Sequence, residues 1–372
     1  MYRDAFQILC PIGTTSVVIS FYELTCNSFL RKCLSQILAV AITTWFTFTA
    51  AWSNPSLAFL AGFWSSWNLI WLWHWIFARD PRSVWRVMYT NGTETKEHFP
   101  NTIGFKRWMW ALDLSLNYRG VGWSFYVPRD RLQKGKPKIH IEPPSGIAKY
   151  NIGFAIQRFS KGIILLHLWR ILSYNLEHVF NVAWPTNQTH SSGKLLVGFT
   201  GLALVVHAMV VAGGLELHYG IIAMIRGLAH SKAPPVWPAL FGNFYDLGLF
   251  DIARFWGVFW HDLLRFGLKS SSDYLTAYWF GKTQFMLSIL LSFSLSAVVH
   301  FSAIWLSTRS VPRALQAATI LTMQPVGIMI QKLLKRALQQ YSLQISQVWS
   351  IGFGLLLLSW TFELNSLFPV VL

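Results

Sequence analysis

From Lys282 to Arg309 the chain has no charged side chain, and the intervening T-Q-F-M-L-S-I-L-L-S-F-S-L-S-A-V-V-H-F-S-A-I-W-L-S-T is apolar for most of its length. About 20 helical residues cross a hydrocarbon core of about 30 Å, and a segment in lipid must satisfy its own backbone groups. A run of this kind therefore predicts a membrane-crossing helix. Comparable runs cover 7–25, 34–52, 55–78, 195–228, 313–333 and 347–368, with a more charged one at 155–180 that carries Arg158, Lys161, Arg170 and Glu177. The composition agrees, with 53% of the 372 residues hydrophobic, 12% charged and a mean hydropathy of +0.39. The expected architecture is an all-α polytopic membrane protein, one multispan domain over 1–372, with seven to nine crossings and additional interfacial or re-entrant helices.

The net charge of +16 sits in the connectors between apolar runs. Loop-borne Lys and Arg beside spans set topology and meet anionic headgroups, and nothing here has the basic, aromatic-studded character of a nucleic-acid module. The bilayer, not DNA or RNA, is the expected partner. Arg79, Arg82, Arg86, Lys96, Lys106 and Arg107 place the connector 79–150 on the cytosolic side, and the Ser53-Asn54-Pro55 turn on the lumenal one. The Lys- and Arg-free stretch 183–193 is then lumenal, so Asn187-Gln188-Thr189 is a candidate glycosylation acceptor, whereas Asn91-Gly92-Thr93 falls on the wrong side. Cys10, Cys26 and Cys33 form neither a disulfide framework nor a metal-ligand spacing, and no metal is expected. The N-terminal apolar stretch reads as a retained first span. A multi-pass protein of the endoplasmic reticulum is the expected setting.

Trp64, Trp67, Trp71, Trp73 and Trp75 crowd the end of the third run and suit an interfacial belt. Within the long connector, 105–127 is apolar and aromatic but too charged to span comfortably. It is broken by Asn117-Tyr118-Arg119-Gly120-Val121-Gly122-Trp123, whose glycines permit backbone angles closed to other residues and let a ligand come close. The alternative is an interfacial helix ending at a glycine turn. The segment 128–150 is a basic, proline-containing loop, and Ala233-Pro234-Pro235-Val236-Trp237-Pro238 ends any helix that precedes it. The run 195–228, interrupted by Gly213-Gly214 and then Glu216, His218 and Tyr219, is either one tilted helix or a span followed by an embedded piece.

Two stretches could carry chemistry. In D-I-A-R-F-W-G-V-F-W-H-D-L-L-R (251–265), continuous helical spacing would bring Arg254, His261 and Arg265 within about 40° of one another on an otherwise aromatic surface. That stripe is either functional or an interfacial helix with its arginines on headgroup phosphates. Downstream, Ser288, Ser292, Ser296 and His300 fall at successive i+4 positions of the charge-free run. Ionisable residues inside a membrane face protein or a wet cavity, and a neutral imidazole there could accept a proton from an alcohol without a metal. The competing role is a hydrogen bond to a neighbouring helix, and His74, His167, His207 and His218 also lie on apolar segments.

P-P-V-W-P-A-L-F-G (234–242), R-F-W-G-V-F-W-H-D-L-L-R (254–265), S-A-V-V-H (296–300) and N-Y-R-G-V-G-W (117–123) resemble, in the same order over about 110–305, the wax synthase-like branch of the membrane-bound O-acyltransferases. More narrowly, they resemble fungal terpenoid and meroterpenoid O-acetyltransferases. The resemblance implies a helical fold around a tunnel, no tightly bound cofactor, acetyl-CoA as co-substrate and a lipophilic alcohol as acceptor. His300 matches the family's catalytic histidine. His261 stands where many relatives have asparagine. Arg254 and Arg265 are candidates for the CoA phosphates, since guanidinium groups make directional contacts to phosphate. Trp256, Trp260, Arg119 and Trp123 are candidates for the substrate path. A long-chain wax ester synthase and a non-enzymatic transporter of a lipophilic metabolite are the alternatives.

Overall fold

The computed structural model describes residues 2–22, 27–49, 52, 54–90, 93–126, 147–180, 209, 211–224, 239–242, 251–260 and 262–338. Its helices are α1 (Tyr2–Ser20), α2 (Phe29–Phe48), α3 (Pro55–Trp73), α4 (Phe105–Leu116), α5 (Ile147–Phe180), α6 (Val211–Met224), α7 (Arg265–Phe280), α8 (Phe285–Thr308) and α9 (Val311–Leu338). Phe285–Thr308 and Val311–Ala337 are long and apolar enough to cross a membrane. The expected 347–368 span, the loop 128–146 and Asn187 lie outside the described residues. Chain contacts divide the protein into one unit of Met1–Lys138, Asp262–Pro325 and Pro369–Leu372 and another of Ile139–His261 and Val326–Phe368.

The first unit is built around α3. Asn54 caps it, its side-chain oxygen accepting from the backbone N–H groups of Ser56 and Leu57, with Pro55 at the first helical position. At its far end the helix loosens into a π-turn, His74–Ala78. Its most extensive packing is against α8, with α1 and α2 on other sides. Gly62 is the closest point of the α3–α8 seam, because a Cβ there would stand 2.6 Å from the Ser302 carbonyl oxygen. The tryptophans do not form the expected belt. Trp67, Trp71 and Trp75 are completely buried, since their i, i+4, i+8 spacing aligns them on one face. There Trp71 packs edge-on to Tyr118 (5.8 Å) and Phe266 (6.0 Å), and Trp75 to Phe125 (5.3 Å).

The fold is also not all-α. Trp85–Thr90 (β1) and Thr93–His98 (β2) pair antiparallel from Trp85 opposite His98 to Thr90 opposite Thr93. The glycine motif docks on the free edge of β1: the Val87 N–H donates to the Gly122 carbonyl (2.7 Å) and the Ser124 N–H to the Trp85 carbonyl (2.9 Å). Arg86 fastens the hairpin to α4, bonding Glu97 (2.6 Å) and Asp113 (3.2 Å). A buried guanidinium with two carboxylate partners keeps its charge, which offsets its desolvation.

In the second unit α5 and α6 solve the problem of charge in an apolar segment. Glu216 is fully buried and accepts from Arg158 (3.1 Å) and Lys161 (2.8 Å) one turn apart on α5. α6 runs without interruption through Gly213-Gly214 to Met224.

Candidate active site

His300 projects from α8 half-buried, its ring edge-on to Phe63 of α3 with centroids 5.6 Å apart. Its Nδ1 lies 2.9 Å from the Ser296 carbonyl oxygen, one turn back. A carbonyl can only accept, so Nδ1 carries the hydrogen, and a neutral ring then holds its lone pair on Nε2. Among the described residues Nε2 has no hydrogen-bond partner. The serine row points the same way as expected, but its first two members serve packing. Ser288 donates to Asp273 of α7 (2.5 Å), which also pairs with Lys269, and Ser292 meets Ser272 (3.1 Å). At Ser296 it is the backbone carbonyl, not the hydroxyl, that orients His300.

Residues 251–265 are not one helix, so the expected stripe of Arg254, His261 and Arg265 does not form by helical spacing. A single turn, Ile252–Arg254, passes into a π-turn, Phe255–Phe259; Trp260 is extended (φ −62°, ψ 160°), and α7 begins only at Arg265. Packed rings account for the break. Phe255 stacks on Trp260 (5.4 Å, 25°) and stands edge-on to Trp256 (5.1 Å), which a continuous helix would separate. Gly242 fits beneath this turn, its N–H donating to the Phe259 carbonyl (2.8 Å) while any Cβ would collide with the Val258 carbonyl oxygen. Asp251 caps the turn onto the Arg254 N–H (3.0 Å) and pairs with Lys335 (2.7 Å). Burial opposes ionisation of that carboxyl, yet the hydrogen bond from Lys335 and those from the turn leave it below its usual range. Arg254 is exposed, and Trp256 and Trp260 are partly buried; His261 lies outside the described residues.

Back in the first unit, Arg119 is buried and grips Asp262 with two contacts, Nε to Oδ1 at 2.7 Å and Nη2 to Oδ2 at 2.8 Å. The glycine motif is thus tied to the residue that follows His261. Gly120 and Gly122 have φ of 70° and 75°, the left-handed region that glycine enters freely, and it is the Phe125 ring that comes close to Gly120. Trp123 is buried edge-on to Trp110 (4.8 Å). Tyr118 lies between Trp64, on which it stacks at 5.4 Å, and Trp67, and its hydroxyl meets Asn68 of α3. Burial pushes the Tyr118 phenol well up, so it stays a neutral donor. Arg265 is half-buried at the first position of α7. Sequence reasoning missed Asp262, Asn68 and Tyr118. Only the Asp beside His261 carried a visible signal, as a carboxylate in an aromatic stretch that needs a cation. Among the described residues no cluster of three or more His, Cys, Asp or Glu could hold a metal ion.

Comparison with known proteins meets this geometry at α8. Residues 237–323 match the Membrane bound O-acyl transferase family. The matched segment holds both the Phe255–Trp260 turn and His300, and the resemblance read from the sequence is borne out. An acetyltransferase of Arthrobotrys oligospora is 21% identical over 243 residues, 63% of this chain and 48% of the relative. An O-mevalon transferase of Penicillium terrestre is 28% identical over 195 residues, 49% of this chain and 39% of the relative. An acetyltransferase of Emericella nidulans is 25% identical over 177 residues, 46% and 37%. The chain thus spans about half or less of the curated relatives it matches. No solved structure matches. The family and the two long apolar helices together support a helical membrane protein.

Proposed function

We propose that this protein is a multi-pass O-acetyltransferase of the endoplasmic reticulum membrane, moving acetyl from acetyl-CoA to a hydroxyl of a lipophilic terpenoid or meroterpenoid. The observation that carries this reading is the bond from His300 Nδ1 to the Ser296 carbonyl, which leaves Nε2 as the basic nitrogen. Nε2 takes the hydroxyl proton as the alcohol oxygen attacks the thioester carbonyl carbon. The C–S bond then breaks, and the departing thiolate recovers the proton as free CoA. His261 orients a reactant or donates to the developing oxyanion. Arg254, exposed at the capped turn, and Arg265 are assigned to the CoA phosphates, and Trp256 and Trp260 to the substrate path. The acetyltransferase relatives favour acetyl as the group carried.

Labelled acetyl-CoA and a panel of polycyclic alcohols, incubated with membranes that contain the protein, test this directly. A labelled ester that depends on the protein is expected. Passage of unchanged alcohol across the membrane with no ester formed would make the protein a carrier. A second reading keeps the reaction and changes the acyl group, because two relatives are O-mevalon transferases. Competition between acetyl-CoA and larger acyl-CoA donors decides between the two.

A further inference from the structure

Where α2 begins and the π-turn after α3 ends, the first unit opens into a cleft of about 420 Å³. Its polar lining is Tyr22, Asn27, Lys32, Arg79, Asp80 and Arg82. Among the described residues of the lining, three cations thus face one carboxylate, and that carboxylate is already committed. Asp80 accepts from Arg82 Nε at 3.0 Å through both oxygens and from Nη2 at 2.6 Å. Arg79 and Lys32 have no carboxylate partner among the described residues. Arg79 is half-buried, its guanidinium over the Phe125 ring at 5.8 Å. Burial pushes that guanidinium below its ordinary value, a cost that a bound anion would remove. The cleft has the volume of a small-molecule site, about 300–1,000 Å³, whereas a surface arginine serving solubility needs no cleft.

We propose that this cleft binds a phosphate group, with Arg79 making the directional contacts and Lys32 and Arg82 supplying further charge. The site is separate from His300. Phe63, which touches His300, and Arg79 are sixteen residues apart on α3 and its π-turn, about 24 Å at 1.5 Å per residue. The proposal therefore holds whatever reaction His300 supports. The phosphate could come from a nucleotide or from a lipid headgroup, which offer the same chemistry.

The test uses the full chain purified in an uncharged detergent, as wild type, Lys32→Gln, Arg79→Lys and the Lys32→Gln/Arg79→Gln double variant. Pyrophosphate and adenosine 3′,5′-bisphosphate are titrated by calorimetry, and phosphatidic acid against phosphatidylcholine by native mass spectrometry. Wild type should bind at least one phosphate probe saturably. The double variant should lose tenfold or more in affinity, and Arg79→Lys should lose less. Loss confined to the soluble probes identifies a nucleotide phosphate; loss confined to phosphatidic acid identifies a headgroup. Should the double variant fail to fold, Lys32→Gln alone, at the half-exposed rim, should lose about threefold. Wild type that binds none of these probes, or folded variants that bind them as wild type does, would overturn the proposal.

Discussion

The two histidine-bearing stretches are built on opposite principles. Phe285–Thr308 is a single regular helix in which each side chain's direction follows from its position, and His300 is oriented by the carbonyl of its own preceding turn. Asp251–Arg265 changes conformation four times in fifteen residues: a capped helical turn, a π-turn, an extended Trp260 and a turn into α7. What holds it is tertiary, namely Gly242 under Phe259, Lys335 and Gln331 on Asp251 and Ile252, and Arg119 on Asp262. One histidine is thus placed by local geometry and the other lies in a stretch placed by distant partners. Substitutions at distant partners should therefore change the backbone conformation of the second stretch, whereas the first keeps its helical form and responds only where its packing against α3 is disturbed.

The largest effect is expected from Asp262→Ala, which takes the carboxylate away from the buried Arg119 guanidinium. Breaking such a pair costs about 3–5 kcal/mol, read as a fall in the thermal midpoint in detergent, and Arg119→Gln/Asp262→Asn should recover most of it. If Asp262→Ala is neutral, the ion pair does not hold the stretch and the contrast fails. Gly62→Ala comes next, because the added methyl meets the Ser302 carbonyl oxygen at 2.6 Å. Forcing α3 and α8 apart costs about 1–3 kcal/mol, and turnover should fall with little change in the KM for acetyl-CoA. Arg254→Gln removes an exposed charge, so stability should move by less than about 0.5 kcal/mol. A severalfold rise in acetyl-CoA KM is expected if Arg254 meets phosphate, and unchanged kinetics would leave it a headgroup contact. Ser296→Ala should do least. The backbone carbonyl remains, so activity should stay within about threefold; a collapse would mean that the hydroxyl, not the carbonyl, places His300.

This contrast also explains what could be read in the sequence. The length of the apolar runs placed α3, α8 and α9 close to their observed limits: a crossing was expected between Lys282 and Arg309 and Phe285–Thr308 is found, and 313–333 lies within Val311–Leu338. The two positive-φ glycines at 120 and 122 were likewise legible, since few other residues tolerate that backbone. The failures came where long-range partners decide. Arg158 and Lys161 stood out as charges in the apolar run 155–180 because their counter-charge, Glu216, is more than fifty residues away. The tryptophans of α3 face Tyr118, Phe125 and Phe266 and become core, although their composition suits a membrane interface. Asn91-Gly92 has the sequence of a tight hairpin connection between strands, a signal hidden by its second meaning as a glycosylation acceptor. The helical stripe through Arg254, His261 and Arg265 assumed a regularity that stacked Phe255 and Trp260 rings prevent.

The central claim is that the free Nε2 of His300 removes a proton from an alcohol, and His300→Ala tests it most directly. General-base action contributes about 10²–10⁴-fold, so acetyl transfer by the variant should fall by that factor while its thermal midpoint stays near that of the wild type. A folded His300→Ala protein that acetylates at close to the wild-type rate would contradict the account.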